Sequence, residues 1–323
     1  MKKVLPLCKR PLIMSYQSHA YYLGILFTSK YFRDYFCCNF INWYYHQDAN
    51  NKLDFVMERR YSDELFFLYN KVGYNTSLDL FNGDCIIQLI SNMIQYNYYI
   101  CGEINEYYVP HRLNYQKQYF EHDFLIYGFD SDRKEVNLIG YTDRGIYEET
   151  TLSFKDLERG LYSFKSTNWI NFIKIDKDYE FVFDLKQYKS LLNDYLQSKN
   201  TYHQFEDKPC TFGINAIMNF AQDLRENCVL DDLKYYRLLF EHKKSMYYKI
   251  KYLLDHQYIE DKNLLSDYHD ILLQFQVIFL LAIKNSTRFS FKFSVQTLDK
   301  IIQNIMSGTN AEIEVLDKLY HYL

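Results

Sequence analysis

The chain has 323 residues, of which 48% are hydrophobic and 24% charged, with a net charge of −4. That length holds one large domain or two ordinary ones, each with a core, and the lack of a basic excess excludes a nucleic-acid partner, since phosphate neutralisation needs clustered Lys and Arg. Seven cysteines without a CxxC pair suggest neither a disulfide framework nor a zinc knuckle, and fit free thiols in a reducing cytoplasm.

Residues 4–14 read as extended chain broken by Pro6 and Pro11, and Lys9 and Arg10 interrupt any signal-peptide core. A helix capped by Ser15 or Ser18 follows, with Tyr22, Leu23, Leu26 and Phe27 at helical spacing. Residues 31–45 form an apolar, helical segment in which Cys37 and Cys38 read as buried small hydrophobes. A short strand is expected at 53–55 and helices at 63–69 and 84–96, the second packing Cys85, Ile86, Leu89, Ile90 and Met93 on one face. Residues 98–110 alternate as strand, turn and strand. Residues 120–129 and 135–141 make a β-hairpin around the turn DSDRKE, and a further strand covers 145–151. The pattern S-x-x-D at Ser153 starts a helix. Two short strands then fall at 168–175 and 179–183.

After about Asp184 the strand signals stop. Helical periods cover 185–199, 213–226, 231–256, 263–285, 293–306 and 311–323, with Gly213 and Gly308 as helix boundaries. The longest apolar run, 271–283, is short and interrupted by Gln, so it reads as a buried helix and no membrane span is expected. The expected architecture is an α+β domain over residues 1–184 and an all-helical domain over 185–323.

No Gly-rich phosphate loop, GxSxG elbow or HExxH motif is present, so no cofactor or metal is expected. An N-terminal helix, then a His at a strand start, then an acidic residue past the next strand is the order of a papain-like cysteine site. Here the His is His122, in FEHDFLIYGFD, and Asp143 is the nearest orienter, with Asn137 inside the second strand. The helix start, where the dipole favours a developing thiolate, holds Gln17, Ser18 and His19 and no Cys. Farther on, Arg237, Lys244 and Lys251 share one side of a helix, either as an anion-binding face or as a solvated face laced with ion pairs. The 34 Tyr and 25 Phe reflect either coding bias or a binding role for aromatics.

FEHDFLIYGFD with its hairpin, the S-F-x-D-L helix start, PLIMSYQSHAYYLGIL, EINEYYVP, TFGINAIM and LLFEHKKSMYYKIKYL together resemble the family related to the N-terminal domain of butirosin biosynthesis protein H. That resemblance covers most of the chain. It implies a papain-like fold of the double-glycine cysteine-peptidase type, and work beside carrier proteins in bacterial natural-product (nonribosomal peptide-type) biosynthesis. Acyl or peptidyl transfer, or hydrolysis, on a phosphopantetheine-linked thioester would use His122 as base, with Ser18 and His19 in the nucleophile region and Asp143 as orienter. Because the helix-start Cys is absent, the alternative is an inactive relative that binds a carrier protein or acts as a scaffold. A cytoplasmic location and self-association into a homo-oligomer are compatible with either reading.

Overall fold

A computed structural model describes residues 1–46, 52–55, 67–74, 83–163, 168–201, 208–227, 232–287, 290–291 and 294–323. In chain order the elements are β1 (Lys2–Val4), α1 (Gln17–Leu26), α2 (Phe32–Cys37), β2 (Trp43–His46), β3 (Lys52–Phe55), β4 (Phe67–Tyr74), α3 (Gly83–Gln95) and β5 (Tyr99–Asn105). A 3-10 turn (Glu106–Tyr108) leads on to β6 (Glu121–Asp130), β7 (Glu135–Tyr141), β8 (Tyr147–Ser153), α4 (Phe154–Tyr162) and β9 (Asn168–Ile175). The remainder comprises α5 (Leu185–Leu196), β10 (Cys210–Phe212), α6 (Gly213–Asn227), α7 (Leu233–Asp255), α8 (Asn263–Asn285), the two-residue strands β11 (Ser286–Thr287) and β12 (Ser290–Phe291), and α9 (Val295–Tyr322).

The chain is α+β and folds as two compact units. One combines Met1–Lys30 with Asp63–Glu180, the other Tyr31–Ser62 with Phe181–Leu323. The C-terminal break lies close to the expected 184/185 boundary, but residues 31–62 group with the C-terminal half rather than the N-terminal one.

The first unit is built on an antiparallel sheet in the order β4-β9-β5-β6-β7-β8, with β1 pairing the far end of β6. The expected hairpin is present as β6 and β7. A register shift between Ile126 and Gly128 interrupts it. Gly128 is needed there because a Cβ would lie 2.7 Å from the Asn137 side chain and 2.9 Å from the Lys3 carbonyl. Ser153 caps α4 by accepting from the Asp156 N–H at 3.1 Å, as its capping pattern predicts. Two expectations fail. Residues 106–108 turn where a second strand was expected, and 179–183 contain no strand. The helix expected at 63–69 lies outside the described residues up to 66, and from Phe67 the chain is strand.

The second unit is not all-helical. Its helices carry a three-stranded sheet, β10-β2-β3. The helix expected over 31–45 stops at Cys37, and Trp43, Tyr44 and Tyr45 form a strand, as aromatic side chains favour a pleated surface. The left-handed backbone at Phe40 (φ 57°) separates the two. Cys37 and Cys38 are buried as expected, whereas Cys85 is exposed on α3, whose inner face is Ile86, Ile90 and Ile94.

Gly308 does not end a helix. α9 runs through it, and the missing Cβ lets α9 meet α8, since a Cβ there would stand 2.8 Å from Phe275. α8 is a 23-residue helix long and apolar enough, by length and composition, to cross a membrane, and it is not buried all round. The run 271–283, read as a buried helix, lies within this longer helix and is buried along one side only. The inner stripe of α8 (Leu264, Tyr268, Ile271, Phe275, Ile278 and Ala282) is buried.

At the centre of this unit lies a buried polar cluster. The Lys243 ammonium donates to Glu312 Oε2 at 2.6 Å and to the Tyr195 hydroxyl at 3.1 Å. Glu312 also accepts from the Tyr195 hydroxyl at 2.7 Å and from the Tyr268 hydroxyl. Lys243, Glu312 and His242 are all fully buried. His242 stacks on Trp43 with ring centroids 4.2 Å apart, and its Nε2 lies 2.8 Å from the Ile41 carbonyl. On α7, Arg237 pairs with Glu241 at 2.8 Å and Lys251 with Asp255 at 3.1 Å, which favours the ion-paired reading of that face.

Candidate functional site

His122 enters the first unit on β6, opposite Ile104 of β5. Asn105, the last residue of β5, shapes what surrounds it. Its side-chain oxygen accepts from the Tyr107 and Phe120 N–H groups at 3.1 and 3.2 Å, so it ties together both ends of the 106–120 loop. The Glu106 N–H closes the loop on the Phe120 carbonyl at 2.8 Å. This folding turns Glu106 and Arg112 inward, where both are buried.

The resulting polar network is continuous. Glu106 Oε1 lies 3.2 Å from His122 Nδ1, and Asn114 donates to Glu106 Oε2 at 2.9 Å. On the other side, Gln17 Nε2 lies 3.3 Å from the same His122 Nδ1 and donates to the Asp123 carbonyl at 3.0 Å. Gln17 Oε1 accepts from the Tyr141 N–H at 2.8 Å and from Arg112 at 3.1 Å. Arg112 also donates to the Tyr141 carbonyl and, at 3.4 Å, to the Ile139 carbonyl. Gly140 leaves room for the guanidinium, because a Cβ there would come within 2.4 Å of both its terminal nitrogens.

Two partners therefore compete for one ring nitrogen. A neutral ring with a bare Nδ1 accepts from the Gln17 amide, while a protonated Nδ1 donates to the Glu106 carboxylate. Burial works against the imidazolium, but the hydrogen bond and charge of Glu106, with Asp123, outweigh it and raise His122 above its ordinary value. Burial likewise disfavours the Glu106 carboxylate, yet hydrogen bonds from His122 and Asn114 outweigh it and lower Glu106. Phe120 stacks on the His122 ring with centroids 5.5 Å apart, and both are partly exposed.

The site thus gathers Gln17, Glu106, Arg112, Asn114 and His122. Of the four residues expected from the sequence, only His122 belongs to it. Ser18 is exposed and makes no hydrogen bond to His122. His19 lies one residue farther along α1, its ring 5.5 Å from that of Tyr16. Asp143 sits past β7, its N–H donating to the His111 carbonyl at 2.7 Å, and Glu106 is the carboxylate on His122. Asn137 pairs with Gly128, six residues along β6 from His122, or about 20 Å. The expected Ser15 or Ser18 cap is also not formed. Tyr16 is the N-cap of α1, without a side-chain cap bond, and Gln17 is the first helical residue.

Among the described residues no sulfur atom is a partner of His122. In this unit Cys101 is buried on β5 opposite Leu125, and burial, with the charge of Asp123, pushes its thiol up. Among the described residues no group of three His, Cys, Asp or Glu side chains is placed to hold a metal ion. Neither a family model nor a curated protein matches the chain.

Proposed function

We propose that the first unit is a papain-like domain that has lost its nucleophile and works by binding, recognising the acyl or peptidyl group that a carrier protein presents on phosphopantetheine in bacterial natural-product biosynthesis. One observation carries this reading. The helix-start position that faces the His holds the Gln17 amide, and the His nitrogen turned toward it is already engaged by Gln17 and Glu106. A base so occupied has no thiol or hydroxyl to activate. What reaches the surface is the exposed Phe120 ring stacked on the half-buried His122, which we take as the place where a polar, amide-bearing chain is recognised. Free thiols among the described cysteines agree with a cytoplasmic setting.

The competing reading keeps His122 as base, with Ser18 as nucleophile in acyl transfer. A titration separates the two. The full chain is mixed with a phosphopantetheinylated carrier protein bearing an acyl thioester, and complex formation and acyl release are followed together. Binding that weakens about tenfold or more in His122→Ala, without acyl release by the wild type, supports recognition. Acyl release that disappears in His122→Ala and Ser18→Ala would replace it with transfer, and no binding at all would remove the carrier protein as partner.

A further inference from the structure

The outer face of α8 carries a second feature, independent of the His122 site. A helix advances 100° per residue, so a shift of two residues moves 200° around it. Shifting the buried stripe Tyr268, Ile271, Phe275, Ile278 and Ala282 by two gives Asp270, Leu273, Val277, Leu280 and Lys284, on the opposite side. All five are exposed, with Leu273 at 43%, Val277 at 46% and Leu280 at 53%. Their 3-4-3-4 spacing is that of a coiled-coil seam. Three apolar layers are closed by an acid at one end and a base at the other.

We infer that this face is the contact between two copies of the chain, joined by antiparallel pairing of α8 with its own mate across a two-fold axis near Val277. Charge selects both the occupant and the direction. Asp270 and Lys284 each lie seven residues from Val277, so an antiparallel mate sets the Asp270 end of each helix beside Lys284 of the other. Asp267, also exposed, reinforces the acidic end. A parallel pair would set acid on acid and base on base. The seam is self-complementary, as a two-fold interface requires. It does not suit a lipid surface, where an amphipathic helix flanks its apolar face with several Lys and Arg. Asn263–Asn285 has Lys284 alone against Asp267 and Asp270.

Sedimentation velocity of the full chain over a concentration series tests this. The wild type should move from the 39.3 kDa monomer to twice that mass. Val277→Glu should abolish the shift. Asp270→Lys should weaken it at least tenfold, and Asp270→Lys with Lys284→Asp should restore it, an outcome that general misfolding cannot produce. A wild type that stays monomeric into the hundreds of micromolar overturns the proposal, as does a dimer indifferent to Val277→Glu or to the charge exchange. Flotation of a monomeric wild type with phosphatidylcholine or phosphatidylglycerol vesicles, lost in Val277→Glu, would overturn it in favour of a membrane contact.

Discussion

Replacing Glu312 by Gln removes the carboxylate that the buried Lys243 ammonium faces. Both groups are fully buried and 2.6 Å apart, and breaking such a pair costs about 3–5 kcal/mol, because the surviving charge is left without its counter-ion. A ceiling follows from the lysine itself. Burial already lowers Lys243, and Glu312 acts against that lowering. Without Glu312 the ammonium can lose its proton, at a cost at pH 7 of no more than about 1.36 × (10.4 − 7), or about 5 kcal/mol. The hydroxyls of Tyr195 and Tyr268 keep an acceptor in the Gln oxygen, which holds the loss inside that ceiling. Trp43, stacked on His242 in the same unit, reports on the cluster, and a Trp169→Phe background silences the chain's other tryptophan. Urea titrations followed by Trp43 fluorescence should show Glu312→Gln destabilised by about 3–5 kcal/mol. Its stability should also rise more steeply with pH than that of the wild type below the unfolded lysine value, since removing Glu312 lowers the folded Lys243 further and the unfolded chain then binds more protons. A loss below about 1 kcal/mol would refute the view that this pair organises the core.

Three further outcomes follow from the same physics. Lys249 is fully buried, 3.4 Å from the Phe40 carbonyl and 4.3 Å from the Phe36 ring centre, and burial lowers its ammonium to about 7. Between pH 7 and about 10.4 the unfolded chain binds the extra proton, so wild-type stability should rise with pH there, and Lys249→Met should remove that rise and raise the denaturation midpoint at pH 7 by about 1–4 kcal/mol equivalent. Gly140→Ala drives a methyl into Arg112 and Gln17, so about 1–3 kcal/mol should be lost in urea melts of the first unit. His122 should titrate above about 6.5 by NMR and return towards that value in Glu106→Gln. The ion pair it makes with Glu106 contributes fully below the unfolded His value and above the unfolded Glu value, and it is lost as pH rises through the folded His122 value or falls through the folded Glu106 value.

Local signals carried well from sequence to structure where one residue decides them. Ser153 starts α4 by its own side chain, the DSDRKE turn joins β6 to β7, and Gly213 in left-handed backbone (φ 54°) opens α6. The failures are tertiary. Gly308 reads as a helix stop until Phe275 is seen to fill the space its Cβ would need. Trp43–His46 follows the α2 helix and becomes a strand because β3, the next element, and β10, far along the chain, pair with it. At the site, His122 was legible because it stands at the start of an apolar strand. Glu106, Arg112 and Asn114 lie in EINEYYVPHRLNY, where no period marks the loop that folds them inward around Asn105. Gln17 was visible as the residue standing where a thiol was expected, but its tie to Tyr141 and Arg112 is a contact across more than ninety residues.

Restoring the thiol tests the proposed papain-like site with an amide in the thiol's place. Gln17→Cys puts a sulfur at the first position of α1, facing His122. Its alkylation by iodoacetamide, followed against pH by mass spectrometry, should report a thiol titrating at least one unit below the ordinary value of about 8.5, and that depression should vanish in Gln17→Cys with His122→Ala. An introduced thiol that titrates at the ordinary value, unaffected by His122, would contradict the account.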